Sequence, residues 1–212
     1  MHALVLLTLS LSATTDIQDG SLLVFEHSNK PVAQVTGSSI THVAILFHHG
    51  DTQWVYEATP AKTRRLKLTD YQNELGELDR HRGRPTRVSV LEPSYPYSEL
   101  QIEQMRAHAA SRIGRRYSVK GYVRGKESDG IHCAQLAAAT LAASGRFRFD
   151  KAYAISPGEL VANVRPLHKS PVPLAIATVQ TDESWCERSW TAWFNYGAWC
   201  RWACYETWTF CW

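Results

Sequence analysis

The chain has 212 residues, 44% of them hydrophobic and 20% charged, with a formal net charge of +3. That length suits one domain with an appendage, large enough to bury a core of its own. So slight a positive balance, with no recognition motif beside it, speaks against nucleic acid as a partner; basic features here are local ones.

Residues 1–13, MHALVLLTLSLSA, hold an apolar run too short to span a bilayer. Its length and the small Ala13 fit a secretory signal peptide, although no Lys or Arg precedes the run; a buried N-terminal strand is the other reading. The expected localisation is therefore the cell envelope or periplasm, and no later stretch has the length and apolarity of a spanning helix. Next, Asp19-Gly20 marks a turn and SLLVF a short strand. ITHVAILFHH and QWVYEA are two apolar runs joined by HGDT, a hairpin candidate around Gly50-Asp51. Both runs are apolar on both faces, which predicts a sheet covered on both sides.

Polar residues dominate 59–85, with one helix expected around 69–78, and RVSVLE reads as a further strand. SELQIEQMRAHAASRIG is the strongest helix signal. Ser98 and Gln101 form a capping box, Ile102, Met105, Ala109 and Ile113 share a face, and Gly114 ends it. A basic loop, RRYSVKGYVRGKESDG, leads into the helix HCAQLAAATLAASG, with Gly145 at its end. SPGELVANV is a short helix entered through Ser156-Pro157, and the proline-bearing RPLHKSPVP reads as a linker.

Of the five cysteines, Cys133 stands alone while Cys186, Cys200, Cys204 and Cys211 crowd the C-terminal stretch. In an exported protein those four can pair in three ways, which leaves one thiol over. Cys133 follows the turn sequence Ser128-Asp129-Gly130 and heads an alanine-rich helix. There the helix dipole and free amides favour thiolate and offer donors to an oxyanion. The plain alternative is a small buried hydrophobe, a frequent fate of free cysteine. A thiolate needs an imidazole, and nine histidines are available; His132 beside the cysteine is set aside, because adjacent helix residues face different directions. His42 shares a strand face with Ala44 and Leu46. If the hairpin loop has two or four residues, Glu57 falls on that same face within reach of His42, in place to orient the ring; a three-residue loop would separate them.

The order SITHVAILF, VYEA, a tyrosine-bearing loop and IHCAQL resembles the permuted branch of the NlpC-type papain-like hydrolases, and the YiiX-type amidases in particular. The likeness runs from about Asp19 to Val164. It implies an α+β, circularly permuted papain-like fold, with an antiparallel sheet packed against the cysteine-bearing helix. It further implies Cys133 as nucleophile, His42 as general base and Glu57 as the group orienting the imidazole. Tyr117 stands where that family has a Tyr-Asp pair and is expected to help shape the oxyanion site. The chain departs from the pattern at Ser118 and at Ala134-Gln135, which puts the family's substrates in doubt but leaves the three residues intact. The organisation expected is a signal peptide (1–13), a catalytic domain (14–165), a linker (166–184) and a Trp/Cys-rich extension (185–212). The activity implied is hydrolysis of amide bonds in peptides or peptidoglycan stem peptides through a thioester, without metal or cofactor. Lipid acyl transfer or hydrolysis and a catalytically inactive binding module are the alternatives.

Two features stand outside that reading. Arg112, Arg115, Arg116, Lys120, Arg124 and Lys126 precede the nucleophile, either as a solvated loop or as a rim that steers an anionic substrate, with Arg116 as the candidate contact. The extension holds seven of the eight tryptophans, recurring with tyrosines every three residues from Trp193 to Trp208. A disulfide-stapled aromatic module, a peripheral membrane contact, a zinc site and a plain extension packed on the domain all compete for it.

Overall fold

A computed structural model describes residues 16–82, 85–176, 193 and 197. The expected signal peptide and almost all of the aromatic extension lie outside these residues. The protein is α+β. Six antiparallel strands form one sheet: β1 (Leu22–Glu26), β2 (Ile40–His49), β3 (Thr52–Ala58), β4 (Thr63–Lys67), β5 (Arg87–Leu91) and β6 (Val172–Pro173). Their order across the sheet is β4-β3-β2-β1-β5-β6.

The hairpin is set by a two-residue turn at Gly50-Asp51, with Gly50 at φ +58°. A glycine at the first central position suits the turn that matches strand twist. The resulting register puts His49 opposite Thr52 and Ile45 opposite Tyr56. Continued one step, it places Glu57 opposite Ala44 and diagonal to His42 on one face of the pleat.

Both faces of the sheet are covered, as the two-sided apolarity of β2 and β3 predicts. On one face lie α3 (Glu99–Ala110), α5 (Cys133–Ala143) and α6 (Pro157–Val164), packed on Val24, Val43, Ile45 and Phe47. On the other, α2 (Leu68–Arg82) sets Leu68, Tyr71 and Leu75 against Phe25, Ala44, Leu46 and Val55. Ala134, Ala137 and Ala138 are fully buried; their small size brings the α5 backbone close to the strands. The helix caps follow the sequence, with reciprocal Ser98–Gln101 and Ser156–Glu159 boxes. Among the described residues no helix is long and apolar enough to cross a membrane.

Several elements differ from expectation. Helix α3 ends at Ala110, and Ile113 is exposed in the turns that follow. Strand β4 occupies part of the polar stretch, a short helix α4 (Lys120–Arg124) stands where a loop was read, and another, α1 (Lys30–Thr36), lies in a stretch given no element. The start of the expected linker belongs to the domain. His168 is buried and bridges Pro93, and β6 extends the sheet from β5. Prolines are tolerated there because β6 is an edge strand that needs donors on one side only.

Candidate active site

The two strands and the cysteine-headed helix converge at one end of the sheet. His42 lies past the last β2–β3 pairing, and the segment entering α5 packs Ile131 and Leu136 on Ala58 at the end of β3. Tyr117 and Ile131 form a parallel bridge that fixes this entry. Gly130 sits so close beneath it that an added Cβ would stand 2.3 Å from the Ser118 Cβ.

Three of the residues singled out in the sequence meet here. Glu57 Oε2 accepts a hydrogen bond from His42 Nε2 at 2.9 Å. The Cys133 thiol lies beside the same ring, near enough for each to shift the other's titration. Cys133 is 4% exposed. Burial alone would raise its thiol and lower the imidazole. The charge interaction between the two overrides burial for both groups. The thiol is lowered to about 5, with His132 assisting, and the imidazole is raised to about 10, with Glu57 assisting. Between those values the pair is a thiolate and an imidazolium.

Glu57 is itself held from three sides, and sequence reasoning missed two of them. Tyr71 on α2 donates its hydroxyl to Oε2 at 3.1 Å, and Arg64 on β4 donates Nε–H to Oε1 at 2.9 Å. Glu74 then forks the far side of the Arg64 guanidinium at 3.2 and 2.7 Å. Burial opposes ionisation of Glu57, but the bonds and charges of His42 and Arg64 keep its carboxyl below the usual range. The signal for Arg64 was the register, since it pairs directly with Glu57 across β3 and β4. Without β4 that pairing is invisible.

His132, set aside in the sequence as facing away from Cys133, is the N-cap of α5 and not yet helical, with φ −104° and ψ 170°. Its Nδ1 accepts from the Gln135 amide at 3.3 Å and its Nε2 donates to the Tyr153 carbonyl at 3.0 Å. With the Gln135 amide taken, the first-turn amides of Cys133 and Ala134 are the donors at the head of the helix, where an oxyanion would form.

Tyr117 lines a cleft of about 200 Å³ whose floor includes Cys133 and whose walls come largely from α1 and α4. Arg116 is exposed and takes no part in that lining; its carbonyl accepts from the Ile131 amide. A larger open depression of about 950 Å³ lies around Asp16, His48 and Lys67, and none of Cys133, His42 and Glu57 borders it. Of the two spaces, the smaller is the one that Cys133 borders. The arrangement can carry a nucleophilic acyl transfer: an activated thiolate, an acid on its other side, and amide donors beside both.

No family model matches the chain, and no curated protein matches it. Its fold is similar to that of the crystal structure of metalloprotein YiiX from Escherichia coli O157:H7, DUF1105. The TM-score is 0.54 at 14% identity, over 76% of this chain and 98% of that one. At that identity the likeness is one of fold, and it is consistent with a YiiX-like family. YiiX is titled a metalloprotein; among the described residues here, no group of three or more His, Cys, Asp or Glu side chains is placed to hold a metal ion.

Proposed function

We propose that this chain is a cysteine hydrolase of the circularly permuted papain-like type, cleaving amide bonds through a thioester on Cys133. One observation carries the reading. His42 stands between a thiol and a buried carboxylate, engaged with both. The likeness in fold to YiiX is consistent with that reading. Peptides or peptidoglycan stem peptides at the cell envelope are the substrates that the family resemblance favours. Lipid acyl groups are the second reading, favoured by the apolar cleft above the thiol.

The steps follow from the ion pair. The Cys133 thiolate attacks the substrate carbonyl, forming a C–S bond, while the amides of Cys133 and Ala134 hold the oxyanion. His42 gives its proton to the departing amine as the C–N bond breaks, leaving a neutral imidazole and a thioester. Water then attacks the thioester, His42 takes one of its protons, and the C–S bond breaks to restore thiolate and imidazolium. The product acid releases the remaining proton to solvent. Glu57 does not touch substrate; it fixes the ring and stabilises the imidazolium.

Mass spectrometry of the intact protein with a panel of peptide amides, muropeptides and N-acyl amides tests this. A transient acyl adduct on Cys133 is expected, with turnover abolished in Cys133→Ala. Equal turnover by that variant would refute the proposal.

A further inference from the structure

The cleft above Cys133 carries information about the substrate that the three reacting side chains do not. Its walls are Pro31, Val32 and Val35 of α1 on one side and Val119, Tyr122 and Val123 in and around α4 on the other. Among the described residues, no Asp, Glu, Lys or Arg lines it. The polar side chains that do line it are largely turned into the protein. Thr36 donates to the Val32 carbonyl at 2.8 Å, Thr41 is bonded to Ser28 at 2.6 Å, and Ser156 accepts from the Glu159 amide at 3.2 Å. His132 bonds the Tyr153 carbonyl and the Gln135 amide, and beyond those it acts on the Cys133 thiol.

A ligand entering this space finds apolar surface until it reaches the thiolate and the amides beside it. A stem peptide, with free carboxylates and ammonium groups close to its scissile bond, would bring charge there with nothing to pair it, a costly desolvation. An aliphatic chain meets no such penalty. Helix α1 adds to the argument because none of its residues is fully buried, so the described residues leave its apolar side chains facing the cleft only partly covered. Val35 is 68% exposed and Val123 53% exposed at the lip. Such exposed apolar surface beside a reactive group marks a binding site for an apolar ligand.

We infer that this cleft is the acyl subsite and that the substrate places a linear aliphatic chain between α1 and α4, with its carbonyl carbon at Cys133 Sγ. The inference rests on the hydrolase reading above and selects the substrate class within it. The covalent steps are those already given, with the alkyl group carried on the thioester carbon throughout. Specificity then lies on the acyl side of the bond, and the leaving amine faces the open rim.

The test is a series of acyl 4-nitroanilides (acetyl, butyryl, hexanoyl, octanoyl and dodecanoyl) together with a muropeptide, assayed on the wild-type protein, Cys133→Ala and Val35→Asp. The inference expects kcat/KM to rise about fourfold for each methylene buried, then to level off as the chain outgrows the cleft, with the muropeptide the poorest substrate. Val35→Asp sits at an exposed position, and an unchanged pH midpoint of Cys133 alkylation shows that the variant is folded. It is expected to lower kcat/KM for the octanoyl substrate at least tenfold more than for the acetyl one. Cys133-dependent turnover without a chain-length trend, or an equal loss with both substrates in Val35→Asp, overturns the acyl subsite while leaving the hydrolase intact. Turnover that does not depend on Cys133, or none with any substrate, overturns both.

Discussion

Replacing His42 with alanine isolates what the imidazole does to the thiol. In the wild-type protein the charge of His42 outweighs burial and holds Cys133 down from 9.0 to about 5. Without the ring, burial acts unopposed by that charge, and the thiol returns to the ordinary range or above it. The assay is the rate of alkylation by iodoacetamide against pH, and the choice of pH matters. At pH 7 the wild-type thiol is almost fully ionised and a thiol of pKa 9 is about 1% ionised. The low-pKa thiolate is intrinsically the weaker nucleophile, by about 40- to 100-fold over four pH units, so the two rates at pH 7 nearly coincide. Near pH 5.5 the difference in ionised fraction grows to about 2,000-fold and the same correction leaves about a 25- to 60-fold slower reaction in His42→Ala. The expected result is a midpoint near 5 in the wild-type protein and one near 9 or higher in the variant. A shared midpoint near that of a free thiol would show that the ion pair does not form.

Glu57→Gln keeps an acceptor for the ring but removes the negative charge that helps hold His42 at about 10. Because that raised value keeps the imidazolium present up to alkaline pH, the variant should lose activity at lower pH on the alkaline side. The limb is expected to move down by about one to three pH units while the acid limb, set by Cys133, stays in place. An unmoved alkaline limb in the kcat/KM profile would count against the role given to Glu57. Gly130→Ala would drive a Cβ to 2.3 Å from the Ser118 Cβ and 3.0 Å from the Ser118 backbone nitrogen. An overpacked site of this kind costs about 1–3 kcal/mol. Urea denaturation should show that loss, and the alkylation midpoint of Cys133 should rise with it; stability within about 0.5 kcal/mol of wild type would contradict the packing described.

The parts of the fold that were legible in the sequence are those whose signals are local. Gly50-Asp51 marked a hairpin though not its register, Ser98-Gln101 and Ser156-Pro157 marked helix starts, and two-faced apolarity in β2 and β3 announced a covered sheet. The approach of His42, Glu57 and Cys133 was reachable because the first two share a hairpin face and the third heads a helix. What escaped has weak or displaced signals. Helix α1 is only seven residues long and none of its residues is fully buried, so its pattern is too short to read, although the Asn29 side chain caps it and Gly37 at φ +63° ends it. Helix α4 is five residues long and has no side-chain cap. Strand β4 carries three basic residues in five, which hides its alternation. With it went Arg64; Tyr71 fell inside the expected helix, but nothing local set that helix against Glu57. His132 was judged as a helical neighbour of Cys133, whereas a cap residue with extended backbone can fold its ring back along the helix it starts.

The distance along the chain between the imidazole and the thiol has a consequence for how reactivity arises. His42 and Glu57 belong to one tight hairpin, a contact that forms fast because little chain must be closed. Cys133 arrives from far downstream and joins them only when its helix docks, a long-range event that comes late. Until then the thiol is an ordinary one, with a pKa near 8.5, slow to react with oxidants or electrophiles at mildly acidic pH. The chain thus carries a dormant sulfur through synthesis and any passage in an unfolded state, and arms it on completion of the native packing. Any opening that parts α5 from β2 disarms it again. At mildly acidic pH, the fraction of Cys133 that labels quickly therefore measures the fraction of molecules that are folded.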